Sequence, residues 1–171
     1  MEILVLNGSP HVKGSTMDMV NAFIKGAEEA GHTVSFFDTA HMNIKGCLGC
    51  DYCRDHEKGV CVQKDDMQKI YPYLEKAEMV VFASPIYYFT MTAQMEAAIQ
   101  RVFCIGKPAK AKKAALLLTS GSPGVYDGAI AQYKAYTAYT GIEDAGIITS
   151  HGEENKSEAK LNEIREFARA L

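Results

Sequence analysis

The feature that most constrains the fold is an alternation. Continuous apolar runs, each closed by small or turn-forming residues, are separated by segments with helical spacing. "EILVLN", residues 2–7, stops at "GSP", as a strand buried on both faces of a parallel sheet would. "STMDMVNAFIKGAEEAG" then carries Met17, Val20, Phe23, Ile24 and Ala27 at helical spacing, with Ser15 the expected N-cap and Gly31 the stop. "HTVSFFD" reads as a second strand. "KDDMQKIYPYLEKA" opens on Asp65 and Asp66, both suited to a helix start, and Pro72 is expected to kink it. "EMVVFASPIYY" is a third strand, broken at Ser84-Pro85, and "TAQMEAAIQRVF" a helix. "KAALLLTSGSPG" and "EDAGIITSHG" are strands four and five, with "AIAQYKAYTAYTG" helical between them. "NKSEAKLNEIREFARAL" closes the chain as an amphipathic helix, with Leu161, Ile164 and Phe167 on its apolar face.

This pattern predicts an α/β fold: a three-layer, doubly wound, five-stranded parallel sheet in the flavodoxin-like order 2-1-3-4-5. Residues 1–171 are expected to form a single domain with a cysteine-rich insertion loop at about 39–64. Right-handed crossovers put the loops after strands one, three and four on one edge, where such sheets bind ligands. Those loops are residues 8–16, 84–92 and 119–128.

Charge and hydropathy disfavour other classes. A net charge of −3 with no basic stripe argues against a nucleic-acid partner. No apolar run approaches the ~20 residues of a membrane span, and "MEILVL" is too short and lacks the basic flank of a signal peptide. The expected location is therefore cytoplasmic and reducing. Clustered cysteines there act as metal ligands or catalytic thiols more often than as structural disulfides.

"NGSPHVKGST" leads from strand one into a helix N-terminus, which supplies free N–H groups and the positive end of a dipole, with Ser9, Ser15 and Thr16 as further donors. The Walker pattern does not match: Gly8 and Gly14 stand one residue too far apart and Ser15 replaces the lysine. The dinucleotide fingerprint lacks its second glycine. A hydroxyl-rich loop for a phosphate monoester remains. "SPIYYFTMTAQ" places Pro85, Ile86, Tyr87 and Tyr88 past strand three, where aromatics can stack on a flat ring and the main chain of 86–89 can bond its polar edge. "TSGSPG", with Thr119, Ser120 and Gly121, lets a ring approach the main chain closely, and Tyr126 lies just beyond. Phosphate on the first loop and a ring between the other two describe flavin mononucleotide (FMN).

Cys47, Cys50, Cys53 and Cys61 follow the spacing C-x2-C-x2-C-x7-C. Two-residue gaps let successive thiolates face one metal centre. An iron–sulfur cluster, a zinc site, a reversible disulfide and free thiols all fit this spacing. His56 reads as a solvated loop residue, and Cys104 as a buried apolar one. Tyr133, Tyr136 and Tyr139 recur every three residues, as either an interface stripe or core.

"GSPHVKGST", the cysteine loop with its trailing "KDDM", and "ASPIYYFTMTAQMEAAIQR" resemble, in this order, the NAD(P)H-dependent FMN reductases of the flavodoxin-like superfamily, within them the iron–sulfur flavoprotein branch. The resemblance runs over nearly the whole chain. It implies FMN phosphate at Ser9, Ser15 and Thr16, on a loop shaped by Pro10 and Gly14. It implies the ring at Pro85, Ile86, Tyr87 and Tyr88, and less clearly at Thr119, Ser120 and Gly121. It implies a 4Fe-4S cluster on Cys47, Cys50, Cys53 and Cys61, although the last gap is longer than the branch usually shows. The activity implied is oxidoreduction. NAD(P)H gives hydride to the flavin, and electrons pass to a small-molecule or protein acceptor. A homodimer or homotetramer is implied as well. The alternatives are a flavodoxin-like carrier without its own substrate and a zinc- or thiol-binding regulatory protein.

Overall fold

Strand β1 (Glu2–Asn7) lies between β2 (Thr33–Asp38) and β3 (Met79–Pro85), and is parallel to both. Strands β4 (Lys113–Ser120) and β5 (Glu143–His151) extend the sheet beyond β3. The order is β2-β1-β3-β4-β5, all parallel, as the sequence predicts. The structure is a computed structural model and describes residues 1–171.

The continuous apolar runs follow from burial on both faces. Ile3 and Val5 of β1 join one core, and Leu4 and Leu6 join the other, because successive strand residues point to opposite sides. The first core packs under α1 (Ser15–Glu29) and α6 (Glu158–Arg169), through Phe23, Ala27, Ile164 and Ala168. The second packs under α3 (Met67–Lys76), α4 (Ala93–Arg101) and α5 (Asp127–Thr140), through Leu74, Met95 and Tyr133. A short helix, α2 (Tyr52–Asp55), sits inside the cysteine loop.

Several expectations shift. Gly14, not Ser15, caps α1: its backbone is extended, and a Cβ there would lie 2.8 Å from the His11 Cβ. Gly31 does end that helix, with φ +82. Helix α3 begins at Met67 and runs unbroken through Pro72. Strand β3 ends at Pro85, so Ile86 to Tyr88 lie beyond it, and Cys104 falls in a 3-10 turn, Val102–Ile105, after α4. The tyrosine stripe divides: Tyr133 is core, while Tyr139 is exposed. The carboxyl ends of β1, β3 and β4 open on one edge of the sheet.

Candidate functional site

At that edge the first loop is set by Asn7, which is fully buried at the end of β1. Its Oδ1 accepts the Ser9 N–H at 3.1 Å, an Asx turn that starts the loop. Ser9 is buried and its Oγ accepts the His11 N–H, and the Gly14 N–H returns to the His11 carbonyl. The chain then enters α1 with no side chain capping it. The N–H groups of Ser15, Thr16 and Met17 have no acceptor in the protein, and neither do those of Val12 and Lys13. These unpartnered donors stand at the positive end of a 15-residue helix.

The second loop turns back on itself. The Tyr87 N–H donates to the Thr90 carbonyl at 3.0 Å, and Tyr88 and Phe89 between them have φ of 51 and 74. Left-handed backbone at both central positions is what a type I′ turn requires, and Asn-Gly is its usual occupant. Two aromatics hold it here, with ring centroids 5.5 Å apart and Tyr88 93% exposed. Strain of this kind, costing about 1–3 kcal/mol per residue, collects at functional sites. The Ile86 N–H is spent on the Thr119 carbonyl and the Tyr87 N–H on Thr90. The Tyr88 and Phe89 N–H groups remain free, so of the main-chain donors of 86–89 only these two have no partner within the protein.

The three loops are tied together. Thr92 caps α4 by accepting the Met95 N–H, and its hydroxyl donates to the Gly8 carbonyl at 2.7 Å. A Cβ on Gly8 would meet Thr92 Oγ1 and Met95 Cβ, each at 2.7 Å. Gly128 at the start of α5 takes the Phe89 carbonyl in the same way. In the third loop the Ser120 hydroxyl is committed internally, to the Ser122 carbonyl and the Tyr126 hydroxyl. Tyr126 is buried and donates to the Ser150 carbonyl, which makes it a strut under the loop. Gly121 stays open, with nothing near the position of a Cβ. Pro10 and Pro85 are half-buried at the edge. Asn7 and Phe89 escape a search for hydroxyls and tyrosines, although "NG" after a strand signals the Asx turn, and the role of the Thr92 hydroxyl depends on the distant Gly8 carbonyl.

Cys47, Cys50, Cys53 and Cys61 line one pocket, and Cys104 joins them. All five are free thiols; Cys47 and Cys50 are exposed, while Cys53 and Cys104 are buried. Burial pushes the Cys104 thiol up to about 11. The Gly49 N–H points at Cys47 Sγ, 3.5 Å away. No three His, Cys, Asp or Glu side chains converge closely enough to hold a metal ion. The loop's two stems are clasped by Asp65 and Arg101. Arg101 donates to both Asp65 carboxylate oxygens, at 2.6 and 3.1 Å, and to the Lys45 carbonyl at 2.9 Å. Asp65 in turn accepts the Lys45 N–H at 3.0 Å. Burial would raise the Asp65 carboxyl, but the Arg101 guanidinium and the N–H groups of Lys45 and Met67 outweigh it and hold it below its ordinary value. His56 is exposed and lies outside the pocket lining. No helix is long and apolar enough to cross a membrane.

An iron-sulfur flavoprotein of Archaeoglobus fulgidus is 36% identical over 106 residues, 62% of this chain and 47% of that protein. One from Methanocaldococcus jannaschii is 34% identical over 101 residues, 59% of this chain and 50% of that protein. The chain thus matches about half the length of these curated relatives. Among solved structures, a NAD(P)H:quinone oxidoreductase from Methanothermobacter marburgensis superposes with TM-score 0.76 at 19% identity, covering 99% of this chain and 93% of that one. An azoreductase from Bacillus anthracis gives 0.75 at 17%, over the full length of both. Both share the flavodoxin-like fold. Residues 1–151 match the family described as NADPH-dependent FMN reductase, and the chain belongs to that family.

Proposed function

We propose that the protein is an FMN-dependent oxidoreductase that takes hydride from NAD(P)H and passes electrons to a small-molecule or protein acceptor, through a 4Fe-4S cluster held by the cysteine loop. The observation that carries this reading is the row of unpartnered N–H groups at Ser15, Thr16 and Met17, placed on the same sheet edge as the strained aromatic turn. The residues present fit the flavin. The helix start offers donors and positive potential for a phosphate monoester, joined by the hydroxyl of Ser15 and the donor capacity of Ser9. The turn offers two aromatic side chains for stacking and the free N–H groups of Tyr88 and Phe89 for a ring's acceptor edge. The cluster is supported by donor type alone: soft thiols gathered in one pocket with largely apolar walls, without three of them converging on one metal position.

When bound, FMN supplies two-electron hydride acceptance with one-electron release, and the cluster supplies one-electron carriage. The chain's own residues then position and shield. Gly8, packed on Thr92 and Met95, keeps the first and second loops in register. Thr119 ties the second and third loops through its carbonyl and the first through its hydroxyl. Tyr88 and Phe89 would cover the ring's face from water. No side chain is assigned an acid–base role. A homodimer or homotetramer belongs to the same reading, with a second copy covering the exposed aromatic turn.

The test is anaerobic mixing of FMN-loaded protein with NADPH, and separately with NADH. Loss of the flavin absorption with either supports the reading. Flavin that only dithionite reduces would make the chain an electron carrier instead.

A further inference from the structure

Helix α2 and the 3-10 turn Val102–Ile105 are clamped to each other. The Arg54 guanidinium carbon stands 4.3 Å from the centre of the Phe103 ring, over its face, and Arg54 Nη2 donates to the Phe103 carbonyl at 3.4 Å. Each clamp residue has a cysteine as its chain neighbour: Cys53 precedes Arg54, and Cys104 follows Phe103. Both cysteines are buried, belong to the same apolar core and line the same pocket. The polar groups beside the Cys104 thiol are the Tyr71 hydroxyl and the thiols of Cys53 and Cys61. Of those two thiols, only Cys53 acts on it by hydrogen bonding as well as by charge. Cys104 lies outside the C-x2-C-x2-C-x7-C series, and the proposed flavin site makes no use of it. A disulfide asks less of geometry than a metal centre: two sulfurs side by side, not three or four ligands on one point.

The pocket is also reachable. Exposed residues, Cys47, Leu48 and Cys50, form part of its wall and open it to solvent. Its volume of about 20 Å³ holds one water-sized molecule. Hydrogen peroxide is close to that size, whereas a peptide disulfide such as oxidised glutathione is far larger.

We propose that Cys53 and Cys104 are a modification site for hydrogen peroxide, closing a reversible disulfide between the cysteine loop and the turn after α4. One sulfur of the pair first takes a peroxide oxygen: an S–O bond forms, the O–O bond breaks, and a water leaves. The second thiol then attacks the sulfenic sulfur. The S–S bond forms, the S–O bond breaks, and the oxygen leaves with the thiol proton as a second water. Two thiols and one hydrogen peroxide thus give one disulfide and two waters, and a dithiol reductant reverses the oxidation. Closure takes Cys53 out of the loop's set of thiols, so the disulfide and a metal-loaded loop are alternative states of the chain. The pair does not depend on the cluster reading, because it needs only the clamp and the two thiols.

The test maps the thiols of full-length protein purified anaerobically and assayed for iron, with any iron removed by a chelator first. The protein is treated with hydrogen peroxide, its remaining thiols are alkylated in denaturant, and a non-reducing digest is read by mass spectrometry. The expected result is a linked Cys53–Cys104 peptide, about 2 Da lighter than the two thiol peptides together and lost on adding dithiothreitol. Oxidised glutathione is expected to form that link far more slowly. Cys104→Ser should lose the link and carry Cys53 on to sulfinic acid, for want of a resolving thiol. Arg54→Ala, with the clamp gone, should form the link several-fold more slowly. Cys53 linked instead to Cys50 or Cys61, or Cys104 still free to alkylate once Cys53 is oxidised, overturns the proposal. Should Cys104→Ser not fold, the wild-type map decides alone. Protein that holds no iron would count against the cluster reading and leave this test unchanged.

Discussion

Thr16 Oγ1 and Thr119 Oγ1 lie 2.7 Å apart, both buried, joining the first turn of α1 to the end of β4 across 103 residues of sequence. The bond fixes where the helix start stands relative to the loop after β4. Thr119→Val leaves the Thr16 hydroxyl buried without a partner, which costs about 1–3 kcal/mol. Replacing both threonines with valine removes both polar groups and should recover most of that loss. Chemical denaturation of the two single variants and the double variant measures this coupling.

The turn at Tyr88 and Phe89 holds a left-handed backbone that Asn-Gly adopts freely. Tyr88→Asn with Phe89→Gly should stabilise the flavin-free protein by about 1–2 kcal/mol and weaken FMN binding at least tenfold. Thermal unfolding and fluorescence titration with FMN check the two halves. Higher stability with unchanged affinity would remove this turn from the ring site.

Gly8 has no room for a methyl group between Thr92 and Met95. Gly8→Ala should destabilise by about 1–3 kcal/mol and push the first loop away from α4. Its FMN affinity should fall more than its affinity for riboflavin, which lacks the phosphate. Titration with both ligands reads the difference.

The Asp65–Arg101 pair sets an acid limit. Asp65 is held below its ordinary 3.8 in the fold, so the unfolded chain binds that proton more readily. The pair's contribution is complete above the ordinary value and drains as pH falls below it. Unfolding midpoints should therefore drop below about pH 4, and the drop should shrink in Asp65→Asn. Removing one partner of so buried a pair, as in Asp65→Ala, should cost about 3–5 kcal/mol at neutral pH.

The fold was legible because β1, β3 and β4 bury both faces, so Leu4, Val81 and Leu116 sit in unbroken apolar runs that only a covered parallel sheet explains. That the first loop carries hydroxyls into a helix start was legible from Ser9, Ser15 and Thr16, but not how those hydroxyls are used. Thr16 bonds Thr119, a partner that only the crossover brings near. Arg101 ends α4 with nothing in the local sequence to single it out. Its partner Asp65 is 36 residues away, and pairing at that range has no local signature. Cys104 read rightly as buried, but that it faces the other four thiols depends on the 3-10 turn after α4. The turn at Tyr88 was hidden because its sequence contradicts its backbone.

The most direct measurement is one anaerobic purification, followed by an absorption spectrum with flavin, iron and acid-labile sulfide assays. The account predicts one FMN per chain, released by acid as the phosphorylated flavin, with about four iron and four sulfide as a 4Fe-4S cluster requires. A protein that holds no flavin, even after FMN is added, would contradict it.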